Sequence, residues 1–182
     1  MTVIIGMIGY ANSGKSTLSR EFSKDSKLNK VFGFSEPLYE MLMVLGVTEE
    51  QINDKELREQ PLEILGGKSP IQAMISLGTE WGRNMVYPEI WVDQLKRRLT
   101  SFSGRVAFVE NVRYQNEFDM VNSLDNSYMI YVNRPDLKPK LDRVSESEIH
   151  LLRSQCDYEI ENHLNENSHT EFRSLIQMIR NK

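Results

Sequence analysis

Near its start the chain carries an apolar run, Val3–Ile8, that leads directly into GYANSGKST at residues 9–17. A helical pattern with Leu18 and Phe22 follows. The stretch matches G-x-x-x-x-G-K-[ST], a phosphate-binding loop, in the strand–loop–helix order that this motif requires. A continuous apolar run such as Val3–Ile8 is typical of a central parallel strand that is buried on both faces. The sequence therefore predicts an α/β protein with a nucleoside-triphosphate site.

The chemistry of such a loop assigns roles to its residues. Backbone N–H groups must converge on phosphate oxygens, and Gly9 and Gly14 allow turns that a Cβ would block. The positive end of the following helix faces the anion. Lys15, expected to face solvent, would reach the β- and γ-phosphates, and the Ser16 hydroxyl would ligate Mg²⁺. The residues predicted to bind the nucleotide are Gly9, Asn12, Ser13, Gly14, Lys15, Ser16 and Thr17.

Composition argues against several classes of protein. With 182 residues, a single domain over residues 1–182 is the natural expectation. The net charge of −4 argues against non-specific nucleic-acid binding, which usually needs a basic face. The single cysteine, Cys156, excludes an internal disulfide, and no apolar run reaches membrane-spanning length. These features predict a cytoplasmic protein with no nucleic-acid or membrane partner.

Strand and helix patterns alternate along the rest of the chain. Strands that alternate with helices imply a parallel five-stranded sheet flanked by helices, in three layers. Ligands of such sheets bind beyond the carboxyl ends of the strands. The last helix is expected to begin at Ser168, which has capping-box spacing to Glu171. The four strands predicted after the first lie at residues 31–34, 105–109, 128–132 and 158–160.

Two segments interrupt this alternation. Residues 36–101 hold several helical patterns. Thr48 and Gln51 have capping-box spacing for a short helix, and Ser69 is a strong helix start with Gln72 at the capping-box position. Gly78 lies inside a helical pattern, where glycine costs about 1 kcal/mol relative to alanine, so it should mark close approach of another backbone or a ligand. Residues 134–145 combine prolines with basic side chains. The layout is that of a small phosphotransferase with a helical acceptor-binding insertion and a short lid over the donor phosphates.

Further motifs make a family resemblance specific. They are GGKSPIQ at residues 66–72, LGTEWGR at 77–83, NVRYQNE at 111–117 and DYEIEN at 157–162. With them the chain resembles the deoxynucleoside monophosphate kinases of bacteriophages from Ile4 to about Ile179. The resemblance implies a P-loop kinase fold and transfer of the ATP γ-phosphate to a deoxynucleoside 5′-monophosphate, with Mg²⁺. It also implies the host-cell cytoplasm as the location if a phage encodes the chain.

The resemblance and the positions of charged residues predict the parts of the site. Lys15, Arg113 and Arg143 are the predicted catalytic residues, because they could neutralise charge on the transferring phosphoryl group from the loop, the acceptor side and the lid. Arg113 is favoured by its place just past a strand end. The residues predicted to bind the acceptor nucleotide are Gly78, Thr79, Arg83, Trp91, Asn111, Arg113 and Glu117.

Asn111 departs from the family, which usually has Asp at this position. Such an Asp would be an acidic partner for Mg²⁺, for the acceptor base or for the arginine two residues on. Asn keeps an acceptor oxygen and loses the charge. Either Glu110 compensates, or the role never depended on charge.

Two other functions stay open at this stage. One is a P-loop kinase for another small acceptor, such as a sugar acid, a nucleoside or dephospho-coenzyme A. Only the resemblance at residues 78–83 favours a deoxynucleoside monophosphate kinase over this alternative. The other is a non-catalytic protein that binds a nucleotide, against which the intact Lys15, Ser16 and Thr17 argue. Kinases of the family that this chain resembles are often dimeric, so a second copy of the chain is an expected partner in a homodimer.

Overall fold

A computed structural model describes residues 1–137 and 149–182 of the chain. In this part the strands are β1 Val3–Ile8, β2 Asn29–Gly33, β3 Val106–Glu110, β4 Ser127–Asn133 and β5 Tyr158–Glu161. The α-helices are α1 Lys15–Ser23, α2 Glu36–Val44, α3 Glu49–Asn53, α4 Pro70–Ile75, α5 Ile90–Thr100, α6 Gln115–Asn122, α7 Ile149–Arg153 and α8 Glu166–Arg180. Two 3₁₀ turns, Leu57–Glu59 and Glu63–Leu65, and a π-helix, Ser76–Val86, complete the elements.

The five strands form one parallel sheet in the order β2-β3-β1-β4-β5. β1 lies at the centre, where Ile5 is in register with Phe108 of β3 and Tyr128 of β4. Every residue of β1 is buried, as expected for a strand covered on both faces. The predicted five-stranded parallel sheet is confirmed, and each predicted strand lies within two residues of its observed limits.

Helices cover both faces of this sheet. On one face Ile5 and Met7 join a core cluster with Phe22 of α1 and Phe172 of α8. The Phe22 ring meets Phe108 edge-to-face at 5.5 Å between centroids, an arrangement that aromatic pairs prefer. On the other face α6 packs so closely that a Cβ on Gly6 would lie 3.3 Å from a methyl group of Val121. The sheet and its two helix layers are the predicted three-layer arrangement.

The last helix begins earlier than the sequence pattern predicts. α8 starts at Glu166, and its cap is Asn165, whose side chain accepts a hydrogen bond from the N–H of Ser168. The Ser168 hydroxyl instead accepts from the N–H of His163 and donates to the Asn165 side chain. Capping by Ser168 is therefore wrong, because Asn165 offers an equally good capping group three residues upstream.

The described residues divide into two compact units. The first comprises Met1–Gly33 and residues from Lys96 to the C-terminus; it contains the sheet. The second, Phe34–Leu95, contains α2, α3, α4 and the π-helix. Its range is close to that of the insertion predicted at residues 36–101, whose acceptor-binding role stays a prediction. The predicted lid lies largely outside the described residues, as does Arg143.

Local capping signals account for the starts of two helices in the second unit. Thr48 and Gln51 form a full capping box at the start of α3, and Ser69 and Gln72 form another at the start of α4. Each side chain of such a pair accepts from the backbone N–H of the other residue. Both capping boxes were predicted from sequence spacing and are confirmed.

Candidate active site

The phosphate loop has a backbone that few sequences could adopt. Gly9, Asn12 and Gly14 have positive φ angles of 146°, 65° and 88°. A Cβ on Gly9 would lie 2.6 Å from the carbonyl oxygen of Val132. Glycine at position 9 thus meets both a conformational and a steric demand, and Asn12 is of a residue type that tolerates the left-handed region. The loop ends at Gly14, after which α1 begins with Lys15.

Lys15 is buried within this loop. Its ammonium donates to the carbonyl oxygens of Gly9 at 2.7 Å and Tyr10 at 2.8 Å, and to the Ser13 hydroxyl at 3.3 Å. Only 5% of the residue is exposed. The expectation of a solvent-facing lysine is wrong, because the loop wraps around the ammonium and supplies oxygen acceptors to it. A positive charge is therefore held beside the N-terminus of α1, where an anion is already favoured.

Ser16 faces a buried carboxylate at the end of β3. Its hydroxyl donates to Glu110 Oε2 at 2.9 Å, and the Ser19 hydroxyl donates to Glu110 Oε1. The Arg20 guanidinium lies 3.8 Å from Oε2. The Ser16 hydroxyl and the Glu110 carboxylate offer oxygen ligands, which Mg²⁺ prefers. Glu110 is therefore placed where it could supply the carboxylate that Asn111 lacks, which is one of the two alternatives given for Asn111 above.

Two side chains from distant parts of the sequence hold the carbonyl groups of the loop. Arg134, just after β4, donates to the carbonyl oxygen of Asn12 at 2.9 Å. Asn162, just after β5, donates to that of Ser13 at 2.8 Å. Neither contact was predicted from the sequence. The available signal was their position, since each is a polar residue that follows the carboxyl end of a parallel strand.

The residues after β3 adopt the geometry of a helix start. Asn111 has a φ of 59°, in the left-handed region that Asn enters more readily than most residues. The buried Glu117 carboxylate accepts from the N–H groups of Arg113 at 2.9 Å and Tyr114 at 3.4 Å. Glu117 therefore caps α6 from its third position. Through this cap it fixes the backbone of Arg113, which places both residues in one local structure.

The other predicted acceptor residues lie in the second unit. Trp91 is buried, and its indole N–H donates to the carbonyl oxygen of Gly78 at 2.7 Å. A Cβ on Gly78 would lie 3.0 Å from Leu38 Cδ1, so the glycine marks a close approach of a side chain. Thr79 is exposed, and the Arg83 guanidinium lies 3.5 Å from the carbonyl oxygen of Pro88. The structure thus joins Gly78 to Trp91, and their role in binding an acceptor stays a prediction.

The backbone of this segment is unusual. GTEWGR at residues 78–83 lies in a π-helix of 11 residues, Ser76–Val86, that continues directly from α4. Most π-helices are single-turn bulges, and they occur frequently at functional sites. Gly82 allows the Trp91 ring to pack directly against this helix, since a Cβ there would lie 2.5 Å from the indole. Sequence periodicity predicted an ordinary helix here, because apolar spacing hardly separates the two helix types.

The described residues contain neither a cluster of typical metal-binding side chains nor a membrane-spanning helix. In residues 1–137 and 149–182, no three or more His, Cys, Asp or Glu side chains cluster in a way that could hold a metal ion. Mg²⁺ at phosphate-binding sites commonly uses one or two protein oxygens, with phosphates and water as further ligands. None of the helices in that part of the chain combines the length and the apolar composition that spanning a bilayer would need.

Known proteins resemble this chain in sequence and in fold. The deoxynucleoside-5′-monophosphate kinase of Escherichia phage T5 is 24% identical over 214 aligned positions, which cover 82% of this chain and 86% of that protein. No family model matches the chain. The shikimate kinase of Aquifex aeolicus has a TM-score of 0.53 at 14% identity, with 97% of both chains covered. The dephospho-CoA kinase of Campylobacter jejuni has a TM-score of 0.50 at 15% identity, with 98% of this chain and 97% of that chain covered. This chain therefore has the fold of the P-loop kinases, with a phosphate loop in its expected place after β1, and it is similar in sequence to a phage deoxynucleoside-5′-monophosphate kinase.

Proposed function

We propose that this chain transfers the γ-phosphoryl group of ATP to the 5′-phosphate of a deoxynucleoside monophosphate. The observation that carries the choice of acceptor is the sequence similarity to the phage T5 deoxynucleoside-5′-monophosphate kinase along 82% of the chain. According to their names, the two proteins of solved structure act on other acceptors. At 14% and 15% identity their similarity supports only the fold of this chain.

The donor half of the reaction rests on the phosphate loop. Lys15 brings a positive charge to the β- and γ-phosphates, and the first N–H groups of α1 add hydrogen-bond donors. Ser16 would hold Mg²⁺ with Glu110 behind it, and the ion would neutralise charge on the donor phosphates. Each group stabilises charge that is present on or develops in the triphosphate, which is the main demand of phosphoryl transfer.

The acceptor half needs positioning more than proton transfer. An oxygen of the ionised acceptor phosphate forms a bond to the γ-phosphorus, while the bond between that phosphorus and the β–γ bridging oxygen breaks and ADP leaves. No strong base is required, because the attacking oxygen carries no proton. Arg113 and the lid residue Arg143 are proposed to neutralise the transferring group, and Gly78, Thr79, Arg83, Trp91 and Asn111 to hold the nucleotide.

Coupled measurement of ADP release tests this proposal. The wild-type protein is assayed with dAMP, dGMP, dCMP and dTMP, with the corresponding ribonucleotides, with shikimate and with dephospho-coenzyme A, each with and without Mg²⁺. We expect Mg²⁺-dependent turnover with at least one deoxynucleotide at a kcat/KM well above that for shikimate or dephospho-coenzyme A. A preference for either of those two acceptors would replace the proposed substrate, and nucleotide binding without turnover on any acceptor would reject kinase activity.

A further inference from the structure

Asn162 occupies a buried position directly behind the phosphate loop. The residue follows β5, and only 1% of it is exposed. Its side-chain N–H₂ donates to the carbonyl oxygen of Ser13 at 2.8 Å, and its side-chain oxygen accepts from the N–H of Leu164 at 2.9 Å. Its backbone N–H donates to the carbonyl oxygen of Asn133 at 2.7 Å. Asn162 thus ties the loop to the end of β4 and to the segment that follows β5.

The bond to Ser13 determines the direction of a neighbouring N–H group. In a planar trans peptide the C=O and N–H bonds point in opposite directions. When Asn162 holds the Ser13 carbonyl on its own side, the N–H of Gly14 must point away from Asn162. Gly14 is the cap position of α1, where backbone N–H groups lack intrahelical partners and can bind an anion.

The packing at Gly14 supports the same relationship. A Cβ at that position would lie 2.1 Å from the Asn162 side-chain nitrogen. The second glycine of the motif is therefore needed for a left-handed φ of 88° and also for the space that Asn162 fills. Arg134 makes a comparable contact with Asn12, but that contact is exposed and competes with water. The Asn162 contact is buried, so its loss would leave a carbonyl group without a hydrogen bond.

We propose that Asn162 is a positioning residue for the donor site, which holds the Ser13–Gly14 peptide so that the Gly14 N–H faces the nucleotide phosphates. The inference rests on the proposed role of the loop in binding ATP. The amide side chain suits this place because it donates to Ser13 and accepts from Leu164 at the same time. An aspartate carboxylate, which has the same shape, could still accept from the N–H of Leu164 but could not donate to the Ser13 carbonyl.

Asn126 provides a matched control at the opposite end of β1. Its side-chain N–H₂ also donates to a backbone carbonyl, that of Thr2, at 3.1 Å. Four variants are compared with the wild type: Asn162→Asp, Asn162→Ala, Asn126→Asp and Asn126→Ala. The dissociation constant for MgADP is measured by calorimetry at 0.1 M and 1 M salt, together with the melting temperature of each ligand-free protein.

We expect both Asn162 variants to weaken MgADP binding by about tenfold or more, as loss of a buried hydrogen bond allows. Both Asn126 variants should lower the melting temperature yet bind MgADP within about twofold of wild type. Weaker MgADP binding by Asn162→Ala would show that added charge is not the cause. The weaker binding by Asn162→Asp should persist at 1 M salt, where charge repulsion is screened.

Two results would overturn the inference while leaving the kinase proposal intact. One is Asn162→Ala with wild-type affinity for MgADP, and the other is equal weakening by the Asn126 variants, which would mean a general loss of stability. A wild-type protein that binds MgADP but phosphorylates no deoxynucleotide would reject the acceptor and leave the Asn162 comparison valid. A wild-type protein that binds no MgADP would reject both proposals.

Discussion

The phosphate loop and the segment Phe34–Leu95 obtain their structures in different ways. The loop is defined by its backbone: three residues within six positions have positive φ angles, and side chains hold the carbonyl groups of Asn12 and Ser13. The segment is defined by side chains, such as the Trp91 indole that bonds to Gly78. A phosphate presents the same oxygens in every nucleotide, so a backbone site suffices. A base differs from one nucleotide to another, so the acceptor-binding role proposed for this segment would need side chains that can vary.

Lys15→Ala should have the largest effect, because it removes the charge that the loop holds. We expect kcat to fall by about 10³-fold or more, since the ammonium interacts with phosphate charge in the transition state. Loss of its hydrogen bonds should also lower the free energy of unfolding by about 1–2 kcal/mol. Steady-state ADP release and thermal melting measure the two effects.

Lys24→Ala serves as the control for this change. Lys24 lies at the other end of α1, is exposed and pairs with Glu21. Its removal should change stability by no more than about 0.5 kcal/mol and leave turnover as in the wild type. Near-normal turnover of Lys15→Ala would reject the loop as the donor site.

Gly78→Val should affect acceptor binding and leave ATP binding at the phosphate loop unchanged. The added side chain meets Leu38, so overpacking should cost about 1–3 kcal/mol of stability. The KM for the deoxynucleotide should rise, while the dissociation constant for MgATP stays unchanged. Gly78→Ala should show a smaller rise, since the Leu38 methyl group at 3.0 Å can move. Equal losses of ATP binding and acceptor binding would show that Gly78 serves packing alone.

Asn111→Asp should produce a smaller change, which concerns selectivity. Both residues tolerate the left-handed φ of 59°, so the backbone should persist. We expect the ranking of kcat/KM among the four deoxynucleotides to change, because ionised Asp accepts hydrogen bonds whereas Asn also donates them. Glu110 already supplies a carboxylate beside Ser16, so Mg²⁺ dependence should stay the same. A uniform rate gain that follows Mg²⁺ affinity would instead assign a metal role to position 111.

Cys156 should have the smallest effect, because it lies in neither region. Burial is the main cause that raises the pKa of its thiol to about 12. At pH 8 only about one thiol in 10⁴ is then ionised, so Ellman's reagent should react slowly with the folded protein and quickly after denaturation. Since the unfolded thiol ionises first as pH rises, the native state should lose stability between about pH 9 and pH 12. Cys156→Ala should leave kcat unchanged; fast native labelling would contradict the raised pKa of this half-buried thiol.

Much of this molecule follows from residues close together in the sequence. The apolar run Val3–Ile8, the glycines of the loop and the capping boxes at Thr48 and Ser69 act over a few positions each, and all are found as predicted. Alternation of strands and helices then restricts the fold to a parallel sheet with its ligand edge at the strand ends. Local conformation is readable because the groups that determine it are neighbours along the chain.

The remaining features were decided by tertiary structure. Lys15 is buried because the loop folds around it, and Glu110 meets Ser16 because β1 and β3 are adjacent in the sheet. The Asn162–Ser13 contact joins residues 149 positions apart. No spacing rule relates such residues, since their proximity arises only when the strands pair and bring their carboxyl ends to one edge. The sequence alone therefore determined the loop and the sheet, and the packing of the sheet determined which side chains support the loop.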